Sequence, residues 1–240
     1  MLRLVIIPVV GLLLGSSPLF AEQAKPSFDC SKAAAADEKA ICADPKLAAI
    51  DVVINDGYRR MVAKLGRATA NSIHAPYLRR RHACGSKAAC IMETGKLELP
   101  IFKLADPSIS IPADMEANPP KQDYDALKHM LKTRECTLST ITLLGPRLCS
   151  ADASGNCPEN LPFDDTGNAI TAKNEVYGVS YDRLKPLEQS KLGDVVLLCL
   201  KSIPSDCPKD DDRGYDWNWR DLRTKGHWDL PDSEHMCGGA

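Results

Sequence analysis

Ten cysteines follow an apolar N-terminal segment, and none lies within it: Cys30, Cys42, Cys84, Cys90, Cys136, Cys149, Cys157, Cys199, Cys207 and Cys237. The segment reads MLRLVIIPVVGLLLGSSPLFA, with Arg3 as a positive start, an apolar run from Leu4 to Leu14, and small or turn-forming residues before Ala21. That run is too short to cross about 30 Å of hydrocarbon, so residues 1–21 are expected to be a secretory signal peptide. The chain left after its removal is expected to have no transmembrane segment. Export to the periplasm or beyond puts the thiols in an oxidising compartment, where an even count reads as a disulfide framework. No C-x-x-C occurs, which argues against thioredoxin-type redox chemistry and zinc ribbons. All ten cysteines are therefore expected to be structural, with no metal and no cofactor.

Residues 105–121 hold Pro107, Pro112, Pro119 and Pro120. Proline removes amide donors and favours extended neighbours, so this stretch is expected to be a linker. It separates a block at 26–104 from one at 122–240 and divides the cysteines four and six. Even counts let each block close its own bridges around its own core. Charge divides as well. Lys25 to Ala105 carries 14 basic and 8 acidic residues, net +6, and Asp106 to Ala240 carries 15 and 23, net −8. The whole-chain net charge of −2 gives no case for nucleic-acid binding. The asymmetry suggests either two solvated surfaces, or mutual attraction of the blocks, or an acidic half that meets a cationic partner.

The first block reads as helical. Asp44-Pro45 pairs an N-cap residue with proline at the first helical position. Leu47, Ile50, Ile54, Tyr58, Met61 and Leu65 then recur at helical spacing, and Gly66 stands where a left-handed stop belongs. A second helix is expected from Asn71 to about Ala83, a short one over Ala33 to Ile41, and a third after Cys90 that ends by Pro100 and is weakened by Gly95. An antiparallel hairpin would set Cys42 beside Cys84 and leave Cys30 for Cys90. Local pairing, 30–42 and 84–90, is the competing arrangement.

Phe28-Asp29-Cys30, Glu38, Ile41-Cys42-Ala43-Asp44-Pro45, Leu47, Asp51, Tyr58, Tyr77-Leu78, Arg81, Cys84-Gly85 and Cys90-Ile91 form a spaced pattern. It resembles the N-terminal domain of the LprI-like family of exported bacterial proteins, named for a lysozyme inhibitor, over about residues 27–95. The chain departs from that pattern at Tyr77, His82 and Gly95. The resemblance implies a small, all-α, disulfide-stapled exported domain. It also implies a partner of lysozyme type, and a family-like structural role for Arg81 with a carboxylate such as Asp51.

The second block reads as mainly β. A short helix is expected within 124–134, then strands over Cys136 to Leu144, Glu175 to Tyr181, Val195 to Leu200, Tyr215 to Trp219 and His227 to Leu230. The apolar Val195 to Leu200 run is expected at the sheet centre, and the whole to be a small sandwich or barrel. The fold class is thus multidomain: a helical hairpin domain followed by a mainly-β, cysteine-rich one.

Few residues suggest chemistry. Asp210, Asp211 and Asp212, with Asp216, invite calcium, but EF-hand spacing fails at Gly214. A solvated acidic turn that can face a partner is the simpler reading. Trp217 and Trp219 share one strand face and are either core aromatics or a stacking surface. His227, His235 and Cys237 contain zinc-ligand types, and Asp232, Ser233 and His235 contain triad types, but no G-x-S-x-G elbow exists. Arg79, Arg80, Arg81 and His82 would point around a helix rather than form one patch. The expectation is a non-enzymatic exported binding protein, with inhibition of a lysozyme-type hydrolase as its candidate activity. The partner-binding residues would be Asp210, Asp211, Asp212, Trp217 and Trp219. A structural module binding another envelope protein, and a small hydrolase using the C-terminal tail, are the alternatives.

Overall fold

The computed structural model describes residues 24–115, 124–148 and 161–239. The expected leader, Cys149, Cys157 and the last third of the expected linker lie outside the described residues. Four helices, α1 (Ala36–Ala43), α2 (Pro45–Leu65), α3 (Arg67–Ala83) and α4 (Ala88–Ala105), precede a short α5 (Tyr124–Met130) and an antiparallel sheet. The strands are β1 (Cys136–Pro146), β2 (Asn168–Ala172), β3 (Tyr177–Ser180), β4 (Val195–Ser202), β5 (Asp216–Asp221) and β6 (His227–Pro231), with α6 (Lys185–Glu188) between β3 and β4. Among the described residues no helix is long and apolar enough to cross a membrane.

α2 begins and ends where its signals place it. Asp44 Oδ1 accepts from the Lys46 and Leu47 amides at 2.8 and 3.4 Å, and Gly66 closes it at φ +82°. That same glycine turns the chain within one residue, so α3 starts at Arg67 rather than Asn71. Asn71 instead accepts a 2.5 Å hydrogen bond from the Tyr58 hydroxyl.

α4 overrides both of its expected breakers and runs through Gly95 and Pro100 to Ala105. The reason is packing against α2. A Cβ on Gly95 would lie 2.8 Å from Ile50 Cδ1, and one on Gly57 would lie 2.7 Å from Cγ of the fully buried Phe102. Two glycines thus let α2 and α4 approach closely, and the burial gained outweighs the propensity they cost.

The cysteine pairs are local, which corrects the nested arrangement. Cys30 bonds Cys42 and Cys84 bonds Cys90. Cys30 sits in a 3-10 turn capped by Asp29, and the chain folds straight back into α1, whose last turn carries Cys42. After α3, Gly85 at φ +56° reverses the chain into α4, which brings Cys90 beside Cys84. The bridges need no hairpin end to meet. Cys136 bonds Cys199 and Cys207 bonds Cys237. Among the described residues no cysteine is free and no bridge crosses the proline-rich stretch.

The sheet has the order β3-β2-β1-β4-β5-β6, so β4 is interior as expected, flanked by β1 and β5. β1 changes partners along its length: Cys136 to Thr140 pair with β4, then the register shifts between Ile141 and Leu143 and the remainder pairs with β2. A strand that bends at a bulge and serves two sheets is how a sheet turns a corner. The result is a half-barrel. Its interior holds Ile170, Leu198, Leu200, Trp217, Trp219, Trp228 and Leu230, with Leu127 of α5 and Leu187 of α6 packed in. β3 closes against β6 where Gly178 meets Leu230: a Cβ there would fall 2.7 Å from Leu230 Cδ1. β2 was missed by the sequence reading, because NAITA is short and nearly all buried, so it shows no alternation.

The helical and sheet halves share a core, contrary to the expected separate ones. Cys136, Leu138 and Leu197, on the outer face of β1 and β4, cluster with Ile50, Ile54, Met61, Ile73, Leu99 and Phe102. The start of the expected linker is packed as well, with Ile109 buried in that cluster and Asp106 Oδ1 accepting from the Ser108 amide and hydroxyl at 3.1 and 2.7 Å.

Candidate functional site

The acidic run does not converge on a cation. Asp211 receives the Arg213 guanidinium through Nε at 2.8 Å and Nη2 at 2.9 Å, and the Gly238 amide at 2.9 Å. The Arg213 hydrogen bonds, then the Gly238 amide, hold its carboxyl far below the usual carboxylate range. Asp212 pairs with Lys128, whose ammonium also lies 5.6 Å from the Tyr215 ring centroid. Asp216 faces Lys201 at 3.0 Å. Asp210, at φ +66°, is exposed. Among the described residues no three His, Cys, Asp or Glu side chains gather as a metal site, and Cys237 is committed to Cys207. The Ser233 hydroxyl lies 2.8 Å from the His235 carbonyl and 3.2 Å from Asp232 Oδ1, and neither contact is to the imidazole.

Trp217 and Trp219 are fully buried. They take the core role of the two open readings, because the strand face they share is the inner one. No ring face is left for stacking a ligand from solvent.

The arginine run spreads around α3 as its spacing requires. Arg79 pairs with Glu135 and donates to the Met130 carbonyl at 2.7 Å, which clamps the helices to the entry of β1. Arg80 lies 4.0 Å from buried Glu98, which also meets His74 Nδ1 at 3.0 Å. Arg81 donates from Nε to buried Asp37 at 2.8 Å and reaches Asp51 at 3.9 Å. Burial pushes the Asp37 carboxyl up, but the Arg81 hydrogen bond and charge outweigh it and leave Asp37 below its usual value. Asp51 also accepts from the Ser27 amide and hydroxyl at 2.7 and 2.6 Å, which ties the start of the described chain to α2.

Exposed apolar features that no sequence pattern marked lie around the Cys207–Cys237 bridge and the segments next to it. The four most exposed large apolar side chains among the described residues are Met236 at 56%, Tyr181 at 54%, Leu148 at 53% and Ile203 at 48%. Arg147 joins three of their segments: its guanidinium lies 4.3 Å from the Tyr181 ring centroid, its Nη1 donates to Glu234 at 3.2 Å, and Leu148 follows it in the chain. Met236 adjoins Cys237, whose amide donates to the Arg213 carbonyl at 3.0 Å. Ile203 leads into Cys207. Segments 203–216 and 232–239 hold seven carboxylates against Lys209 and Arg213. This lobe is apolar at several points, acidic around them, and fastened by a covalent bridge. Nothing in the sequence marked it, because an apolar residue in a loop is not legible as exposed.

A concavity of about 480 Å³ is lined by Leu144, Leu161, Phe163 and Leu192, with Ser190 and Lys191. Ser190 is not free there, since its hydroxyl donates to buried Asp221 at 2.6 Å. No protein-family model, no curated protein and no solved structure matches the chain.

Proposed function

We propose that the chain is a periplasmic or secreted, signal-peptide-bearing binding protein that docks through the Cys207–Cys237 lobe onto a cationic protein, a lysozyme-type cell-wall hydrolase being the partner class. The observation that carries this reading is that Met236 and Ile203 are exposed on the carboxylate-rich segments fastened by the Cys207–Cys237 bridge, with exposed Tyr181 and Leu148 tied to those segments through Arg147 and Glu234. Exposed aromatic and Met side chains anchor interfaces, charge steers the encounter, and a bridged loop loses little freedom on docking. Asp210, with the Asp211 and Asp212 turn that Arg213 and Lys128 hold in place, belongs to its rim. The resemblance of residues 27–95 to the LprI-like family supports the partner class. The helical part of this reading is an LprI-like domain that serves as the scaffold, since its own net charge is positive and would repel a basic enzyme.

A turbidity assay of lysozyme on cell walls, run with the oxidised full chain, tests the reading. Slowing at micromolar excess is expected, with relief on raising salt and at least tenfold weakening in a Tyr181→Ser, Met236→Ser double variant. Full lysis rates at every concentration would remove the inhibitor reading. Binding without slowing would favour an envelope interaction module.

A further inference from the structure

The inside of the half-barrel contains more hydrogen-bonding groups than the chain satisfies. Trp219 is fully buried, Trp228 is 5% exposed and Asn174 is 4% exposed. Both indole Nε1 groups, and both the Nδ2 and Oδ1 of Asn174, are buried without a protein partner. Flipping the Asn174 amide cures nothing, because both of its ends are orphaned.

The register shows which of these groups share a face. Trp219 stands directly opposite Trp228 and directly opposite Leu198, which stands opposite Thr137. Residues paired across adjacent strands point to the same side of the sheet, and Leu198, Trp219 and Trp228 belong to the inner core. Asn174 is in the turn between β2 and β3, and its backbone N–H donates to Ser139 Oγ at 3.2 Å. Ser139 is two residues from Thr137 on β1, hence on that inner face, and both are buried. Two indole donors and two hydroxyl side chains therefore line one buried side, with the backbone of Asn174 hydrogen-bonded to one of those hydroxyls. Buried polar groups without partners are rare, and water is the usual remedy where a site is polar.

We propose that this interior is a hydrated site: internal water accepts from the Trp219 and Trp228 indoles and serves both ends of the Asn174 amide. The ligand class is a water-sized hydrogen-bond acceptor. The site is enclosed, so it is independent of the docking lobe, and neither result bears on the other.

The test is water contact at the indoles of the oxidised full chain by NMR, with the three indole proton signals assigned through single Trp→Phe variants. Rotating-frame cross-peaks between long-lived water and the Trp219 and Trp228 indole protons are expected, together with slow exchange of both. Absence of water contact at both indoles overturns the proposal. An Asn174→Leu variant, which keeps the branched heavy-atom outline, gives a second readout that needs no tryptophan variant to fold. In a dry interior it removes two orphaned groups and raises Tm, which overturns the proposal. In a hydrated one it breaks the water network, lowers Tm and reduces the indole–water cross-peaks.

Discussion

Gly57→Ala should destabilise this protein although helix propensity alone says the reverse. In an exposed helix interior the change gains about 1 kcal/mol. Here the new methyl would lie 2.7 Å from Cγ and 3.0 Å from Cε2 of Phe102, and closer still to Cδ2. Carbon atoms settle at about 3.5–4.0 Å, so the ring must retreat by roughly 1 Å. Phe102 is fully buried in the core shared by helices and sheet, where overpacking costs about 1–3 kcal/mol. A displacement of that size belongs at the upper end, which leaves a net loss of about 2 kcal/mol. For a cooperative unit of this length the loss lowers Tm by about 4–8 °C. Thermal and urea melts of the oxidised protein by circular dichroism measure it. Adding Phe102→Leu to Gly57→Ala should cost less than the sum of the two single changes, since the smaller side chain yields to the methyl. A Gly57→Ala variant that melts at or above the parent temperature would refute the packing argument.

The disulfides should rank by the chain they enclose. Loop-closure entropy assigns about 4 kcal/mol to Cys136–Cys199, about 3 to Cys30–Cys42 and about 2 to Cys84–Cys90, from separations of 63, 12 and 6 residues. Paired Cys→Ser variants in urea melts check the order, and a Cys136/Cys199 pair that costs least would contradict it. The Asp37–Arg81 pair should make stability acid-sensitive. The folded Asp37 carboxyl is held below its usual value, so its contribution is complete above about pH 4 and is lost as pH falls through the lowered folded value. Asp37→Asn should cost about 3 kcal/mol at pH 7 by leaving Arg81 poorly paired and should flatten the pH profile below about pH 4, which chemical melts at stepped pH would show.

What the sequence made legible was local. The α2 stripe, its Asp44-Pro45 start and its Gly66 stop depend on residues within a turn of each other, and β-branched runs mark β1 and β4 in the same way. Readings failed where a distant partner decides. Gly95 and Pro100 argue against a helix until Ile50 and Ile54 on α2 are seen to require the missing Cβ at Gly95. Cys42 and Cys84 suit a hairpin clasp until the turns at Asp29 and Gly85 return each chain to its own neighbour. In the candidate site, Asp210, Asp211 and Asp212 were visible as a run, but not that Arg213, Gly238 and Lys128 hold two of them. Tyr181, Ile203 and Met236 carried no signal, because their exposure is a property of the folded lobe.

The Cys136–Cys199 bridge lies on the sheet face that the helices cover. Its two thiols come from adjacent strands, and Cys136 is almost wholly enclosed once α3 and α4 are seated. Cys199 keeps part of its surface in solvent, so a bulky oxidase can meet the pair through that sulfur even with the helical layer seated. The Cys199 thiolate takes the oxidase's disulfide into a mixed disulfide, and the neighbouring Cys136 thiolate attacks the Cys199 sulfur and releases the oxidase thiol. The helical layer thus leaves one sulfur of the pair open to exchange and shields the other.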